Sequence, residues 1–446
     1  MSAMAGGPAG KADELIARFL PLHPKRIDLS LGRIQRLLAD LGHPELRLPP
    51  VIHVAGTNGK GSTVAFMRAV LEAAGRSVHV YTSPHLVRFH ERIRLGHPGG
   101  GRLVADDVLA DAFARCEAVN AGQGISVFEI TTAAALLLFA EHPADVLLLE
   151  VGLGGRYDAT NVVPAPVATV VTPVSMDHPE FLGSTVAAIA GEKAGILKRG
   201  VPAILAEQGD EARAVLEREA ARVGAPALFG GQDFSAQEER SRLVYQDERG
   251  LMDLPLPRLA GRHQHGNAAT AIAALRTAFP DLPAAAYEAG IARADWPARL
   301  QPLKRGRLPA LLPDGAELWL DGGHNAEGGR ILAEALAEME ERHARPLALV
   351  CGMLATKDPK AFLKPFAGLA QELIAVPISG EGAAHDPETI LGAAAGAGIP
   401  AARCPGVGAA LRFLAARHWP VPPRVLVAGS LHLAGEVLAL NGTPPE

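Results

Sequence analysis

The chain has 446 residues, 48% of them hydrophobic and 20% charged, with a formal net charge of −5. That balance excludes a disordered polymer, is long enough for two or three separate cores, and carries no basic block of the kind that grips nucleic acid. The three cysteines (Cys116, Cys351, Cys404) are far apart and form no CxxC pair, which excludes a disulfide framework or a cysteine-built zinc site and suits a reducing cytoplasm.

In chain order, the opening MSAMAGGPAGKADE lacks the basic-then-apolar layout of a signal peptide. Asp13–Leu20 reads as a short helix, and Ile27–Leu31 as a turn capping a second one over Arg33–Leu41. Val51–Ala55 is a β-branched apolar run that breaks into Gly56-Thr57-Asn58-Gly59-Lys60-Gly61-Ser62-Thr63, followed by helix-spaced apolar residues. Strand, glycine-rich loop, helix is the order a phosphate-binding loop requires. Glycines let backbone N–H groups turn inward, the helix N-terminus favours an anion, Lys60 reaches phosphate, and Ser62 or Thr63 offers a hydroxyl to Mg²⁺. The pattern, G-x-x-G-K-x-[ST], is shorter than the commoner phosphate-loop spacing. The competing reading is a glycine-rich turn with an incidental lysine.

Strand-type runs at Ser77–Tyr81, Asp145–Val151, Val167–Val171 and Val201–Leu205 alternate with helical patterns at Val104–Val119, Ile130–Ala140 and Glu211–Arg222. Such alternation predicts a largely parallel sheet covered by helices. Ala133–Ala140, the longest apolar run, is far too short to span a bilayer. Phe234–Leu256 is polar and reads as a β-hairpin, and Gly266–Phe279 as an alanine-rich helix. Two prolines within Asp295–Pro302 mark a boundary, after which strands at Leu318–Asp321, Leu347–Cys351, Glu372–Val376 and Val425–Ala428 predict a second, smaller α/β domain. The expected division is residues 1–296 and 297–446.

Three strands of the first domain end on groups able to bind a hard metal: Ser83, Glu150 and, beyond Asp177, His178. In a parallel sheet all three lie along the carboxyl edge from which the phosphate loop opens, so they are expected to converge. A lone serine or histidine after a strand is also an ordinary turn residue; a glutamate closing an apolar strand needs a partner. Lys193, flanked by Ala, Gly and Ile, is either a buried lysine that loses its proton readily and can take up carbon dioxide as a carbamate, or one whose stem packs while its head reaches water. The residues alone favour the second.

HVAGTNGKGST, TSPHLVRFHERI, EVGLGGRYDATN, DHPEFLG, GEKAGI, HQHGNAATA and DGGHN, in this order from about Ile27 to Leu433, resemble the bacterial folylpolyglutamate synthase/dihydrofolate synthase family of the Mur ligase superfamily. The resemblance implies a P-loop ATPase-type domain with a mainly parallel sheet and a Rossmann-like α/β domain. It implies an ATP-dependent amide ligase in which an acyl phosphate is attacked by L-glutamate, the acceptors being dihydropteroate and tetrahydrofolate. By position it implies that Thr57, Asn58, Gly59, Lys60, Gly61 and Ser62 hold the ATP phosphates, joined by Asn267, Arg299, Asp321 and His324 in an interdomain cleft. It further implies Mg²⁺ at two sites on Ser83, Glu150, His178 and a carbamylated Lys193, with Lys60, Lys193 and His178 catalytic. Ile27, Asp28 and Leu29, Ser126, Val127, Phe128 and Glu129, and Tyr157, Asp158 and Ala159 match the pterin-side substrate positions. Arg88 and His90 are further candidates there. Phe128 also reads as core, Asp28 as an N-cap and Asp158 as a turn residue. Gly323 where alanine is usual, GMLATKD without the usual acidic residue, and His432 in GSLHLAG are departures.

The expected setting is cytoplasmic and monomeric, with no membrane or nucleic-acid partner. The alternatives are a polyglutamate-only synthase, a Mur-type ligase acting on another carboxylate, and a nucleotide-driven switch or transport ATPase. A dehydrogenase fits poorly, because GTNGKGS stands where its dinucleotide turn would be.

Overall fold

The computed structural model describes residues 10–22, 30–379 and 383–445. The chain divides into two compact units: the larger runs to Arg258 and adds Gln264–Asp295, and the smaller takes Leu259–His263 and Trp296–Pro445.

In the larger unit, β1 (Val51–Ala55), β2 (Val78–Tyr81), β3 (Ile93–Leu95), β4 (Arg102–Leu103), β5 (Val146–Glu150), β6 (Ala168–Val171), β7 (Ala203–Leu205) and β8 (Ala227–Phe229) form one sheet in the order β4-β3-β2-β5-β1-β6-β7-β8. The run from β2 to β8 is parallel; β3 and β4 continue it antiparallel at one edge. Every residue of β1, β5 and β6 is buried, which is why these strands read as mainly apolar runs rather than alternating ones, with His53, Glu150 and Thr169 the polar exceptions. The helix Lys60–Ala73 buries Val64, Phe66, Met67, Val70 and Leu71 between the sheet and the helix Ala284–Arg293, where Val70 meets Gly290. Helix Val127–Glu141 buries almost its whole length. Its start is a capping box: Ser126 Oγ accepts from the Glu129 N–H, and Glu129 reaches back to the Ser126 N–H at 2.7 Å.

The expected hairpin is instead a three-stranded antiparallel meander, β9 (Phe234–Glu239), β10 (Arg242–Asp247) and β11 (Gly250–Pro255). Its first turn is made by Arg240 and Ser241, both left-handed (φ 50° and 61°) although neither is glycine or asparagine, so the sequence carries no turn signal there.

The smaller unit holds β12 (Gln301–Pro302), β13 (Glu317–Leu320), β14 (Leu347–Cys351), β15 (Ala370–Ala375), β16 (Ala401–Arg403) and β17 (Arg424–Ala428), ordered β12-β13-β17-β14-β15-β16. All pairs are parallel except β12–β13. Both units are therefore α/β. Among the described residues no helix is long and apolar enough to cross a membrane.

Candidate active site

The strand order makes β2, β5, β1 and β6 neighbours. Ser83 follows β2, Glu150 ends β5, Gly56 follows β1, and Asp177-His178 follows β6, so the expected groups issue from four adjacent strand ends on one edge. The Ser83 N–H donates to Glu150 Oε2 at 3.4 Å, joining two of the expected metal positions directly.

The phosphate loop is pinned from two sides. The N–H groups of Thr57 and Asn58 donate to the Pro173 carbonyl, and the Thr57 hydroxyl bonds to the Ser175 carbonyl and N–H, each at 3.1 Å. From the other side Asn267 presses on Gly59, which has φ 89° and no room for a Cβ against Asn267 Oδ1. Gln264 holds Asn267 in turn, accepting from Nδ2 at 3.0 Å. Lys60 folds back over the loop and donates to the Gly56 and Thr57 carbonyls at 3.0 and 3.2 Å.

Lys193 is 4% exposed, so its head does not reach water: Nζ donates to the Gly56 carbonyl at 2.9 Å. Burial pushes its ammonium down to about 7, and neighbouring Lys60 pushes the same way against Asp177 and Asp158. A substantial neutral fraction at neutral pH is what carbamate formation needs. Asp177 is a participant the sequence reading passed over, standing one residue before His178.

Three hydroxyl oxygens at this edge, on Ser62, Thr63 and Ser83, are buried without a hydrogen-bond partner among the described residues. Buried hydroxyls need partners, so this trio fits a phosphate and a hard cation. Among the described residues no three His, Cys, Asp or Glu side chains form a metal-binding cluster. The expected set takes only Glu150 and His178 from those types, with a hydroxyl and a lysine beside them. His178 is left-handed (φ 50°), and its ring nitrogens stand 3.5 Å from Glu180 and 3.9 Å from Asp177.

Of the pterin-side positions, Ile27, Asp28 and Leu29 lie outside the described residues. Phe128 packs over Gly152, where a Cβ would collide with its ring. Glu129 is fixed by Arg33 Nε at 3.0 Å as well as by its own cap. Tyr157 is exposed, whereas Asp158 is buried with its carboxylate turned inward. Oδ2 of Asp158 accepts the N–H groups of Gly152 and Leu153 at 3.1 and 2.8 Å; Oδ1 accepts the Thr160 N–H and hydroxyl at 3.0 and 2.5 Å. Through these bonds it organises the loop that carries Tyr157 and Ala159. Asn161 ties that loop onward, donating to the carbonyls of Arg156 and Gly195 at 2.9 and 3.1 Å. In the 83–92 loop the work falls to residues not singled out. Glu91 accepts the N–H groups of Leu86, Val87 and Arg88, and buried Arg92 donates to His85 Nδ1 at 2.9 Å.

In the smaller unit Asp321 follows β13 and accepts the Leu300 and Gly323 N–H groups at 2.7 and 2.6 Å. Burial raises its pKa, while Arg299 and His324 oppose the shift, so these three expected residues do come together. Ala298 and Leu300, on either side of Arg299, are both left-handed (φ 55° and 41°).

A glycine-rich loop at the carboxyl edge of a parallel sheet, with two lysines on one carbonyl and three buried hydroxyls that lack a partner among the described residues, suits a phosphoryl group and a hard cation. Residues 54–275 match the Mur ligase middle domain. The chain is 36% identical over 405 residues to the dihydrofolate synthase/folylpolyglutamate synthase of Bacillus subtilis (81% of this chain, 88% of that one). It is 36% identical over 362 residues to the folylpolyglutamate synthase of Lacticaseibacillus casei (78% and 81%). Among solved structures, E. coli FolC in complex with DHPP and ADP matches with TM-score 0.85 at 31% identity, covering 98% of each chain. The Yersinia pestis bifunctional enzyme with AMPPNP and Mn ion matches with TM-score 0.84 at 30% identity (98% and 99%). The chain belongs to the dihydrofolate synthase/folylpolyglutamate synthase family, and it is a ligase.

Proposed function

We propose that the chain joins L-glutamate to dihydropteroate, giving dihydrofolate, and to tetrahydrofolate and its polyglutamates, using ATP. The observation that carries this is the paired approach of Lys60 and Lys193 to the Gly56 carbonyl beside unpaired Ser62, Thr63 and Ser83 hydroxyls. Lys60 there offers a cation to a phosphoryl group, and Lys193, once carbamylated, joins the groups suited to a hard cation.

In this reading the acceptor carboxylate attacks the γ-phosphorus, ADP leaves, and the acyl phosphate so formed is attacked by the glutamate amine with loss of phosphate. The condensation is thereby split into two easier displacements. Thr57, Asn58, Gly59, Lys60, Gly61 and Ser62 form the loop that holds the phosphates, with Thr57 and Asn58 anchoring it to the Pro173 carbonyl and the Lys60 ammonium countering charge that grows on the phosphoryl oxygens. Asn267, Arg299, Asp321 and His324 complete the nucleotide contacts. Ser83, Glu150, His178 and carbamylated Lys193 would hold Mg²⁺ at two sites, which supplies charge neutralisation and orientation for the phosphoryl oxygens. Ile27–Leu29, Ser126–Glu129 and Tyr157–Ala159 serve the pterin side, the last through the loop that Asp158 organises. We assign the ATP-binding part to residues 1–296 and the second domain to 297–446, and we take the protein to act as a cytoplasmic monomer.

The test is phosphate release by the purified protein with ATP, Mg²⁺ and L-glutamate, adding dihydropteroate or tetrahydrofolate in turn. Release with both acceptors supports the bifunctional reading, and release with tetrahydrofolate alone reduces it to polyglutamylation. Silence with both, alongside release with a different carboxylate, overturns the substrate assignment while keeping the ligase.

A further inference from the structure

Behind the Gly152–Asn161 loop a fully buried histidine stands in the middle of β1. His53 Nε2 lies 2.8 Å from the Thr160 hydroxyl, which itself lies 2.5 Å from Asp158 Oδ1. The proton positions follow from the partners. Three of the four donors on Asp158 are backbone N–H groups, which cannot reverse, so its carboxylate acts as an acceptor and Thr160 spends its single hydroxyl proton on it. The Thr160 oxygen is then the acceptor for His53, which must be the Nε2–H tautomer. Nδ1 is left as a bare, buried lone pair, and it has no partner among the described residues. Burial lowers the His53 pKa to about 3, in keeping with a ring that stays neutral.

We propose that His53 is a positioning residue for acceptor binding: through Thr160 it fixes the Asp158 carboxylate, and with it the Gly152–Thr160 turn that carries Tyr157 and Ala159. The inference rests on the reading of that turn as the pterin side of the site. His53 touches no substrate. Its contribution is one-directional donation in a dry layer beneath the loop, where an unpaired acceptor costs more than at the surface. Burial raises the Asp158 pKa against the hydrogen bonds it accepts, and the hydroxyl it receives is polarised because His53 donates to that hydroxyl's oxygen.

The variants are His53→Leu, His53→Gln, Thr160→Val and Thr160→Ser, made in the full chain. Gln restores an N–H near the Nε2 position and Ser keeps the hydroxyl, so each is the conservative partner of a disruptive change. Hydrogen exchange reads the turn directly. The Gly152, Leu153 and Thr160 amides should exchange about tenfold faster in His53→Leu and Thr160→Val, the effect of one lost buried hydrogen bond, and near the wild-type rate in His53→Gln and Thr160→Ser. The KM for dihydropteroate should rise by about tenfold in the first pair, with kcat and nucleotide affinity within about twofold. Unchanged amide exchange in both disruptive variants overturns the relay. Faster exchange with an unchanged dihydropteroate KM overturns the acceptor-side role of the turn, and with it that part of the functional reading. A joint loss of nucleotide affinity, acceptor affinity and kcat that Gln and Ser do not rescue reduces His53 to a core residue and overturns the proposal.

Discussion

Lys193 Nζ donates to the carbonyl oxygen of Gly56 at 2.9 Å, the same oxygen that receives Lys60 at 3.0 Å. Two amines share one acceptor at the first residue of the phosphate loop, and the more buried of them has the depressed pKa, about 7. One carbonyl serves two protonated amines poorly, so neutralising Lys193 relieves the crowding and leaves a nucleophilic nitrogen beside the phosphate site.

Replacing Lys193 by alanine is accordingly expected to lower turnover by at least about 100-fold, the scale of losing a group that stabilises developing charge, while leaving the melting temperature near wild type. Short carboxylic acids should restore part of the rate by standing in for the carbamate. Since carbon dioxide adds to the free amine, the wild-type rate should depend on added bicarbonate more strongly at pH 6, below the Lys193 pKa, than at pH 8. Near-normal steady-state rates in Lys193→Ala would refute the carbamate role.

Gly59→Ala is expected to damage the phosphate loop on two counts. The residue has φ 89°, which alanine adopts only with strain, and the new methyl would meet Asn267 Oδ1. Titration with a fluorescent ATP analogue should show affinity reduced by about tenfold or more, for a strain on the order of 1–3 kcal/mol. Adding Asn267→Ala should recover only part of the loss, because the backbone strain survives when the collision is removed.

The fold is most legible in the sequence where one physical signal dominates. β1, its glycine break and the following helix are legible because burial on both faces leaves a strand apolar at all but His53 and the loop requires glycines at fixed places. The ends of β2, β5 and β6 were legible for the same reason, and parallel topology then brought Ser83 and Glu150 together. What escaped depends on contacts between segments distant in sequence. Nothing local in Arg240-Ser241 announces a left-handed turn, and the short edge strands β3 and β4 have no apolar run of their own. Lys193 looked like a lysine reaching water because flanking Ala and Gly do not reveal that Gly56, 137 positions away, supplies its partner. His53 passed as one polar residue in a strand, since its partner Thr160 is 107 residues further on.

His53 also gives a pH prediction. Its folded pKa, about 3, lies below the ordinary 6.5, so between these values the unfolded chain binds a proton that the folded chain does not. Stability should therefore be fully present above about pH 6.5 and fall as pH drops toward 3, by up to a few kcal/mol. The melting temperature of wild type should decline over this window more steeply than that of His53→Gln. Parallel profiles would show that the ring is not held neutral.

Arg424 in β17 has a side chain only 3% exposed, held by Glu317 at 2.8 Å; Arg345 reaches the other Glu317 oxygen at 3.2 Å. Glu317→Ala would leave the buried guanidinium with only Glu340 at 3.8 Å and the His343 carbonyl at 3.4 Å, a loss bounded by the about 3–5 kcal/mol of a fully buried pair. Glu317 itself is about a third exposed, so water can enter and the lower end of that range is expected. Chemical denaturation of the full chain measures it. A loss below about 1 kcal/mol would place this network with ordinary surface pairs.

Asp321 tests how the strained arch around Arg299 is kept. Both of its oxygens accept backbone N–H groups, from Leu300 at 2.7 Å and Gly323 at 2.6 Å. Ala298 and Leu300 hold left-handed conformations that non-glycine residues keep only when their surroundings over-determine them. Asp321→Asn is nearly isosteric, yet it must turn an amide N–H₂ toward one of those two donors. One backbone N–H then loses its acceptor, at about 1–3 kcal/mol. Leu300 is free to leave the left-handed region, and the guanidinium between it and Ala298 loses its aim. The KM for ATP should rise, and the effect should not add to that of Arg299→Ala: if Asp321 acts by holding Arg299, the double variant is no worse than the worse single one. Full additivity of the two losses would mean that Asp321 contributes independently of Arg299, and the arch would then be a matter of stability alone.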